Sequence, residues 1–366
     1  MGRRPRAREI GIEIGVMKPG RFNAITDVEG VGVGHTTIIR GEGPLKIGEG
    51  PVRVGVTAIV PHPRNPYEEK VTAAVDMFNA FGKATGLPQI MHMGVIETPI
   101  LLTDTLNTWL VANAVLDYFR ERYGLTPRTL NPVVGETNGS FLNDSFGRHV
   151  RKEHVFAAID KARSAEGRGP VEEGNVGGGT PMIGYGLKGG IGSSSRTCGP
   201  ATVGVLVQLN CGRREDLMIN GVPVGKELKV PKPQLGGIEG SIIIVLATDL
   251  ALNSRQLWKV AKRAMLGVAR TGSYGGVTSG DFTIAFTTGK VSLEEFRESL
   301  PKRAGRSLGE GYLNPIYRAA VEATEEAVIN ALFKAETMVG INGNTCYELP
   351  IEEVVEIFEK YGRKLG

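Results

Sequence analysis

The chain has 366 residues, with 43 Lys and Arg against 39 Asp and Glu, a net charge of +4, and a composition 41% hydrophobic and 22% charged. That balance excludes disorder and fibrous structure, and without a basic block beyond residue 8 it leaves no nucleic-acid footprint. Glycine is the anomaly: 51 of 366 residues, about 14% against a usual share of about 7%, with no G-X-Y period to suggest collagen.

The three cysteines, Cys198, Cys211 and Cys346, have neither CxxC nor Cys/His spacing, which argues against a disulfide framework and against zinc. The cytoplasm is therefore the expected compartment. The basic start, Met-Gly-Arg-Arg-Pro-Arg-Ala-Arg, is followed by no apolar segment of a secretory signal. No apolar run approaches the roughly 18 residues of a membrane span.

In chain order, β-branched runs bounded by glycine predict strands over 31–39, 52–60 and 94–102. Helical periodicity follows over 105–123 and 152–165, separated by a polar loop over 134–144. Residues 164–174 read as an exposed loop. Residues 174–196 hold nine glycines in 23 positions, too many for a stable sheet unless backbone must approach backbone or substrate. An active-site wall and a flexible surface loop both fit that composition.

A strand over 201–209 comes next, then an irregular stretch over 229–240 with Pro231 and Pro233, and then an abrupt strand over 241–247. The helix over 254–269 has a polar cap at Asn253, an apolar stripe through Leu257, Ala261, Ala264, Met265 and Val268, and Gly272 beyond its end. A last strand is expected over 282–287, followed by helices over 314–338 and 350–361. In the first of these, Pro315 suits the opening turn, and Ala320, Ala323, Ala327 and Ala331 form a small-residue face that can lie close on a sheet.

Familiar catalytic motifs are missing. Gly30-Val-Gly32-Val-Gly34 is not a dinucleotide fingerprint, Met77 stands where a P-loop ending at Lys83 needs glycine, and neither His-Glu-x-x-His nor Gly-x-Ser-x-Gly occurs. All five histidines, His35, His62, His92, His149 and His154, lie in the first 154 residues. A Ser-His-Asp triad would have to be assembled across the fold, and His62 and His92 read as structural or surface residues.

A hydroxyl can instead be activated by an α-amino group, whose pKa of about 7.7 to 8.0 makes it a usable base. That requires a cut before a Ser, Thr or Cys, and Gly240-Ser241, ahead of a strand able to hold the new terminus, is the evident place. A plain Gly-Ser turn before a core strand is the competing interpretation. Around this junction, Ser279 and Asp281 form either a hydroxyl-carboxylate relay or an ordinary Asp turn. Asn210 is either an oxyanion donor or a strand-ending amide. Glu136 is either a ligand for a substrate ammonium or a solvated loop carboxylate.

Six segments carry a family resemblance: Gly-Glu-Thr-Asn-Gly-Ser-Phe-Leu-Asn-Asp (135–144), Tyr-Gly-Leu-Lys-Gly-Gly-Ile-Gly-Ser-Ser-Ser-Arg (185–196), Val-Gln-Leu-Asn (207–210), Gly-Ser-Ile-Ile-Ile-Val-Leu-Ala-Thr-Asp (240–249), Ala-Arg-Thr-Gly-Ser (269–273) and Ser-Gly-Asp (279–281). In this order they resemble the L-aminopeptidase D-amidase/D-esterase (DmpA-type) family, which includes β-peptidyl aminopeptidases. The resemblance spans residues from about Asn23 to Cys346.

It implies a single α/β domain over 1–366, an αββα sandwich like that of N-terminal-nucleophile hydrolases with different strand connectivity. It implies self-cleavage between Gly240 and Ser241 into chains 1–240 and 241–366. Ser241 would be the nucleophile, Asn210 the oxyanion donor, and Ser279 with Asp281 the orienting groups. Glu136 and Phe141 would belong to the substrate site, with Phe141 where active members carry tyrosine. Release of N-terminal residues from peptides, amides or esters by a homotetramer of αβ units, without metal or other cofactor and without nucleic-acid or membrane partners, is the implied activity. An acyltransferase of the ornithine acetyltransferase type, whose nucleophile is threonine, and a non-catalytic member of the fold are the alternatives.

Overall fold

The computed structural model describes residues 4–235, 240–301, 309–363 and 365. The first half contributes strands Gly32–Arg40 (β1), Val52–Val60 (β2) and Val71–Ala80 (β3), helix Leu87–Met93 (α1), strands Val95–Ile96 (β4) and Ile100–Asp104 (β5), helix Thr108–Arg122 (α2), strand Val133–Thr137 (β6) and helix Lys152–Arg163 (α3). A short hairpin, Ile183–Gly184 (β7) and Leu187–Lys188 (β8), leads into strands Gly190–Cys198 (β9) and Ala201–Asn210 (β10), then helix Val224–Glu227 (α4) and strand Ser241–Leu250 (β11). Helix Ser254–Arg270 (α5), strand Gly280–Val291 (β12), helices Leu293–Ser299 (α6) and Asn314–Lys334 (α7), strands Met338–Val339 (β13) and Thr345–Cys346 (β14), and helix Ile351–Lys360 (α8) complete the chain.

Two sheets face each other, one ordered β1-β2-β5-β6 and the other β4-β3-β12-β11-β10-β9. Helices α2 and α3 cover the outer face of the first, and α5 and α7 cover that of the second. The middle apolar layer joins Ile59, Ile100, Leu102 and Val133 to Ile243, Val245, Ile284 and Phe286. Separate apolar layers lie under each helix pair. This is the αββα sandwich that the resemblance implies.

Most connections are antiparallel, but β11 runs parallel to β12 and β5 parallel to β6. Parallel neighbours need a long crossover, and α5 and α2 supply them. Helix α5 starts where its cap demands: the Asn253 side chain accepts from the Gln256 N–H at 2.9 Å, and the Gln256 side chain accepts from the Asn253 N–H at 3.1 Å.

The structure corrects several sequence expectations. The strand expected over 94–102 is two strands in different sheets, parted at Pro99, which has no N–H for a ladder. Residues 190–198, which begin inside the expected glycine-rich loop, form the edge strand β9, paired along its length with β10 and with eight of its nine residues buried. Glycine is used there for close packing: a Cβ on Gly192 would lie 2.0 Å from the Ala327 carbonyl oxygen of α7. Residues 164–174 are less exposed than expected, because Val171 and Glu173 are buried and Glu173 pairs with Arg6 at 2.6 Å. Helix α7 ends at Lys334 rather than 338, where Ala335 turns extended.

The α7 face toward β9 carries charge as well as alanine. Arg196 of β9 meets Glu326 at 2.6 Å, both side chains wholly buried, and Glu326 also accepts from Arg8 at 2.7 Å and from the Asn23 amide at 2.5 Å. One carboxylate thus ties α7, β9 and the N-terminal segment together. Among the described residues no helix is long and apolar enough to cross a membrane.

Removing one partner from a buried ion pair leaves the other uncompensated, at a cost of about 3 to 5 kcal/mol. Glu326→Ala is therefore expected to destabilise the protein by up to about that amount, with Arg196 left only its longer contact to Glu322 at 3.5 Å and Arg8 without its carboxylate, as read from urea unfolding midpoints.

Candidate active site

Strand β11 delivers Ser241. All ten of its residues are buried, and they alternate between two apolar layers. Ile242, Ile244 and Leu246 face the helices, whereas Ile243, Val245 and Ala247 face the other sheet. A strand gripped on both faces holds its first residue in place. Ser241 lies directly opposite Asn210 in the antiparallel ladder, and Ile242 lies opposite Asp281 in the parallel one. The Ser241 Oγ accepts a hydrogen bond from the Gly280 N–H at 3.0 Å.

Asn210 closes β10 with its amide oriented. Its Oδ1 accepts from the Ile183 N–H at 2.8 Å, and because a backbone N–H can only donate, this fixes which side of the amide is oxygen. The amide nitrogen is turned the other way, and its Nδ2 donates to the Asn138 carbonyl at 3.2 Å.

Gly240 precedes the nucleophile candidate for a steric reason. A Cβ there would fall 1.4 Å from the Asn210 carbonyl oxygen, which no side chain could tolerate.

Ser279 and Asp281 are joined. Ser279 Oγ donates to Asp281 Oδ1 at 2.6 Å, rather than Asp281 closing a turn on its own backbone. The other oxygen, Oδ2, is buried with no hydrogen-bond partner. Burial pushes the Asp281 carboxyl up to about 6, although the Ser279 hydroxyl pulls the other way by favouring the charged form.

A cavity of about 680 Å³ opens at this junction, with Asn138, Phe141, Asn210, Gly240, Tyr274 and Ser279 among its lining. Its apolar end is formed where Phe141 and Leu235 pack against Leu142, Ile183, Met338 and Cys346. The loop bearing Phe141 is clamped by buried Asp104, which accepts from the Gly139 N–H at 2.8 Å, the Ser145 hydroxyl at 2.7 Å and the Asn143 amide at 3.0 Å. The Asn344 amide donates to the Phe141 carbonyl at 2.8 Å.

Glu136 departs from its expected setting. It belongs to β6 rather than to a solvated loop, is buried, and does not line the cavity. Its Oε1 accepts from the Lys83 N–H at 2.8 Å, with the Lys83 ammonium at 3.7 Å. Gly82 and Gly280, stacked on each other, stand between this carboxylate and the Ser241 hydroxyl.

None of the histidines lines the cavity. His149 sits between Asp144 and Arg40, His35 bonds Thr57, His62 bonds the Glu69 carbonyl, His154 caps α3, and His92 is exposed on α1. Among the described residues no cluster of His, Cys, Asp or Glu could hold a metal ion. The site therefore offers a hydroxyl, an oriented amide and a hydroxyl-carboxylate pair, suited to acyl transfer without imidazole.

Two buried cations escaped the sequence reading, Arg214 in the cavity lining and Lys188 behind it. Arg214 donates to the carbonyls of Tyr185, Val230 and Gly186, and Lys188 to those of Gly179, Met182 and Gly189. The only signal was a lysine set among glycines in the 185–190 segment.

Residues 23–346 match the profile of peptidase family S58. The β-peptidyl aminopeptidase BapA of Sphingosinicella xenopeptidilytica is 43% identical, over 97% of this chain and 91% of that protein. Among solved structures, a protein from Pyrococcus horikoshii OT3 is 46% identical with a TM-score of 0.86, covering 98% of this chain and 100% of its own. The L-aminopeptidase D-Ala-esterase/amidase of Ochrobactrum anthropi, described as a prototype of the serine aminopeptidases and a variant of the Ntn hydrolase fold, is 38% identical with a TM-score of 0.85, covering 98% and 99%.

Carboxyl resonances of labelled protein are expected to report a midpoint near pH 6 for Asp281. In Ser279→Ala the midpoint should rise, by on the order of one pH unit, because a hydrogen bond to the charged form is lost.

Proposed function

The chain belongs to peptidase family S58 and is a serine aminopeptidase with an N-terminal nucleophile, and we propose that this nucleophile is Ser241, released by cleavage of the Gly240-Ser241 bond. The observation that carries the reading is the junction itself: a glycine forced by the Asn210 carbonyl, followed by a hydroxyl held at 3.0 Å by the Gly280 N–H and directly opposite an oriented amide.

The same oxygen acts twice. In the uncut chain Ser241 Oγ attacks the Gly240 carbonyl carbon, the peptide C–N bond breaks as the hydroxyl proton passes to the Ser241 nitrogen to make the α-amine, and the resulting ester is hydrolysed by water. This divides the single unit 1–366 into chains 1–240 and 241–366. In the cut enzyme the new α-amine takes the Oγ proton as Oγ attacks the carbonyl of a peptide, amide or ester. Asn210 Nδ2 donates to the oxyanion. The proton passes to the departing amine, or to the departing alkoxide of an ester, and water hydrolyses the acyl-enzyme. Ser279 and Asp281 orient the α-amine, for which the unpartnered Asp281 Oδ2 is a waiting acceptor.

The apolar end formed by Phe141, Ile183 and Leu235 suits an aliphatic substrate side chain. Glu136 is assigned to the substrate ammonium, an assignment that requires this buried carboxylate to exchange its contact with the Lys83 ammonium at 3.7 Å. We assign the assembly as a homotetramer of αβ units, supported by exposed Met77, Phe78, Phe81 and Val277. The cytoplasmic assignment is supported by three unpaired, buried cysteines.

Intact-mass measurement should find two fragments in the native protein, the second beginning at Ser241, and a single chain in Ser241→Ala. A Ser241→Ala protein that still splits there would overturn the assignment. The pH dependence of kcat/KM tests the relay. Activity requires an unprotonated α-amine, so it falls below about pH 7.7 to 8.0. Below about pH 6 protonation of Asp281 removes the relay acceptor and the fall steepens. In Asp281→Asn the lower, steeper limb should disappear.

A further inference from the structure

The segment 179–189, which gives Ile183 and Gly186 to the cavity lining, is wound around one ammonium group. Lys188 is wholly buried, and its Nζ donates to the carbonyls of Met182 at 2.7 Å, Gly189 at 2.9 Å and Gly179 at 3.3 Å. Three donors meet three acceptors, so the group is saturated. No carboxylate among the described residues pairs with it, and the facing Cys346 thiol is pushed by burial up to about 12 and stays neutral. Burial without a counter-ion lowers the Lys188 pKa to about 7, while the three carbonyl acceptors favour the ammonium form, and an apolar side chain of similar length would fill the space at less cost. Lys188 therefore contributes geometry.

That geometry leads to Asn210 through a single peptide plane. The Met182 carbonyl, held by Lys188 at 2.7 Å, and the Ile183 N–H, which donates to Asn210 Oδ1 at 2.8 Å, belong to the same rigid peptide unit. Fixing the oxygen on one edge fixes the N–H on the other, and a cation on the oxygen makes that N–H a stronger donor. The Gly189 N–H adds a second bond to the Met182 carbonyl at 2.9 Å, closing the turn.

We propose that Lys188 is a positioning residue for the amide of Asn210, acting through the Met182-Ile183 peptide. The inference rests on the reading of Asn210 as oxyanion donor. With the peptide held, Asn210 Oδ1 is engaged and Nδ2 is the edge turned toward the reacting carbonyl. Without Lys188, the Met182 carbonyl keeps only its bond from the Gly189 N–H, and the amide is held less tightly in its orientation.

A double-mutant cycle tests this, with Lys188→Met, Asn210→Ala and the combination assayed on alanine p-nitroanilide per mole of split enzyme, and with folding checked by thermal melts. Lys188→Met should lower kcat at least about tenfold, less than or equal to the loss from Asn210→Ala, while KM changes less than about twofold. In the Asn210→Ala background the same substitution should change kcat by less than about twofold. Equal losses in both backgrounds would reduce Lys188 to a structural support and overturn the inference, with the Asn210 assignment intact. A native kcat in Asn210→Ala alone would remove that assignment and this inference with it. Should Lys188→Met fail to fold, Lys188→Arg, which keeps the cation but spreads it over a planar group, carries the same cycle.

Discussion

The site depends on the grip exerted on one strand. β11 is buried along its whole length, paired antiparallel to β10 on one side and parallel to β12 on the other, and sandwiched between two apolar layers. A serine at the head of such a strand has little freedom, and its neighbours arrive already in register. Asn210 lies opposite because β10 ends there, and Asp281 lies alongside because β12 begins there. Interior packing does the positioning that other enzymes assign to hydrogen-bonded side chains.

Much of this was legible in the residues, for identifiable reasons. The strands expected over 31–39, 52–60, 201–209 and 241–247 match β1, β2, β10 and β11 to within a few residues, because each is a dense β-branched run. β3 was missed: its Ala73, Ala74, Asp76 and Asn79 carry a weak strand signal, and it is recruited by pairing with β12. β9 was obscured by its glycines and serines, which are there because α7 lies almost in contact with its backbone. Ser241, Asn210, Ser279 and Asp281 stood out as a group only when six scattered segments were read together. The two buried cations gave no periodic signal, since their partners are backbone carbonyls.

Buried cations in this molecule are held in two ways. Arg196 and Glu326 neutralise each other beneath α7 and fasten the helix to the sheet. Lys188 and Arg214 instead draw carbonyl oxygens of irregular backbone around themselves. The second way suits the chain around the cavity, where glycine-rich backbone has few side chains with which to stabilise itself.

The cavity wall also includes Lys232, Pro233, Gln234, Leu235 and Gly240, which in the uncut chain run toward the very bond proposed to break. Once that bond opens, this stretch becomes a chain end, held by Leu235 against the apolar floor and by the ion pair of Lys232 with Glu215 at 3.1 Å. The uncut protein and the working enzyme would then present differently shaped cavities from the same sequence. A ligand selected against one form would meet altered walls in the other, so compounds blocking maturation and compounds blocking turnover form separate chemical problems.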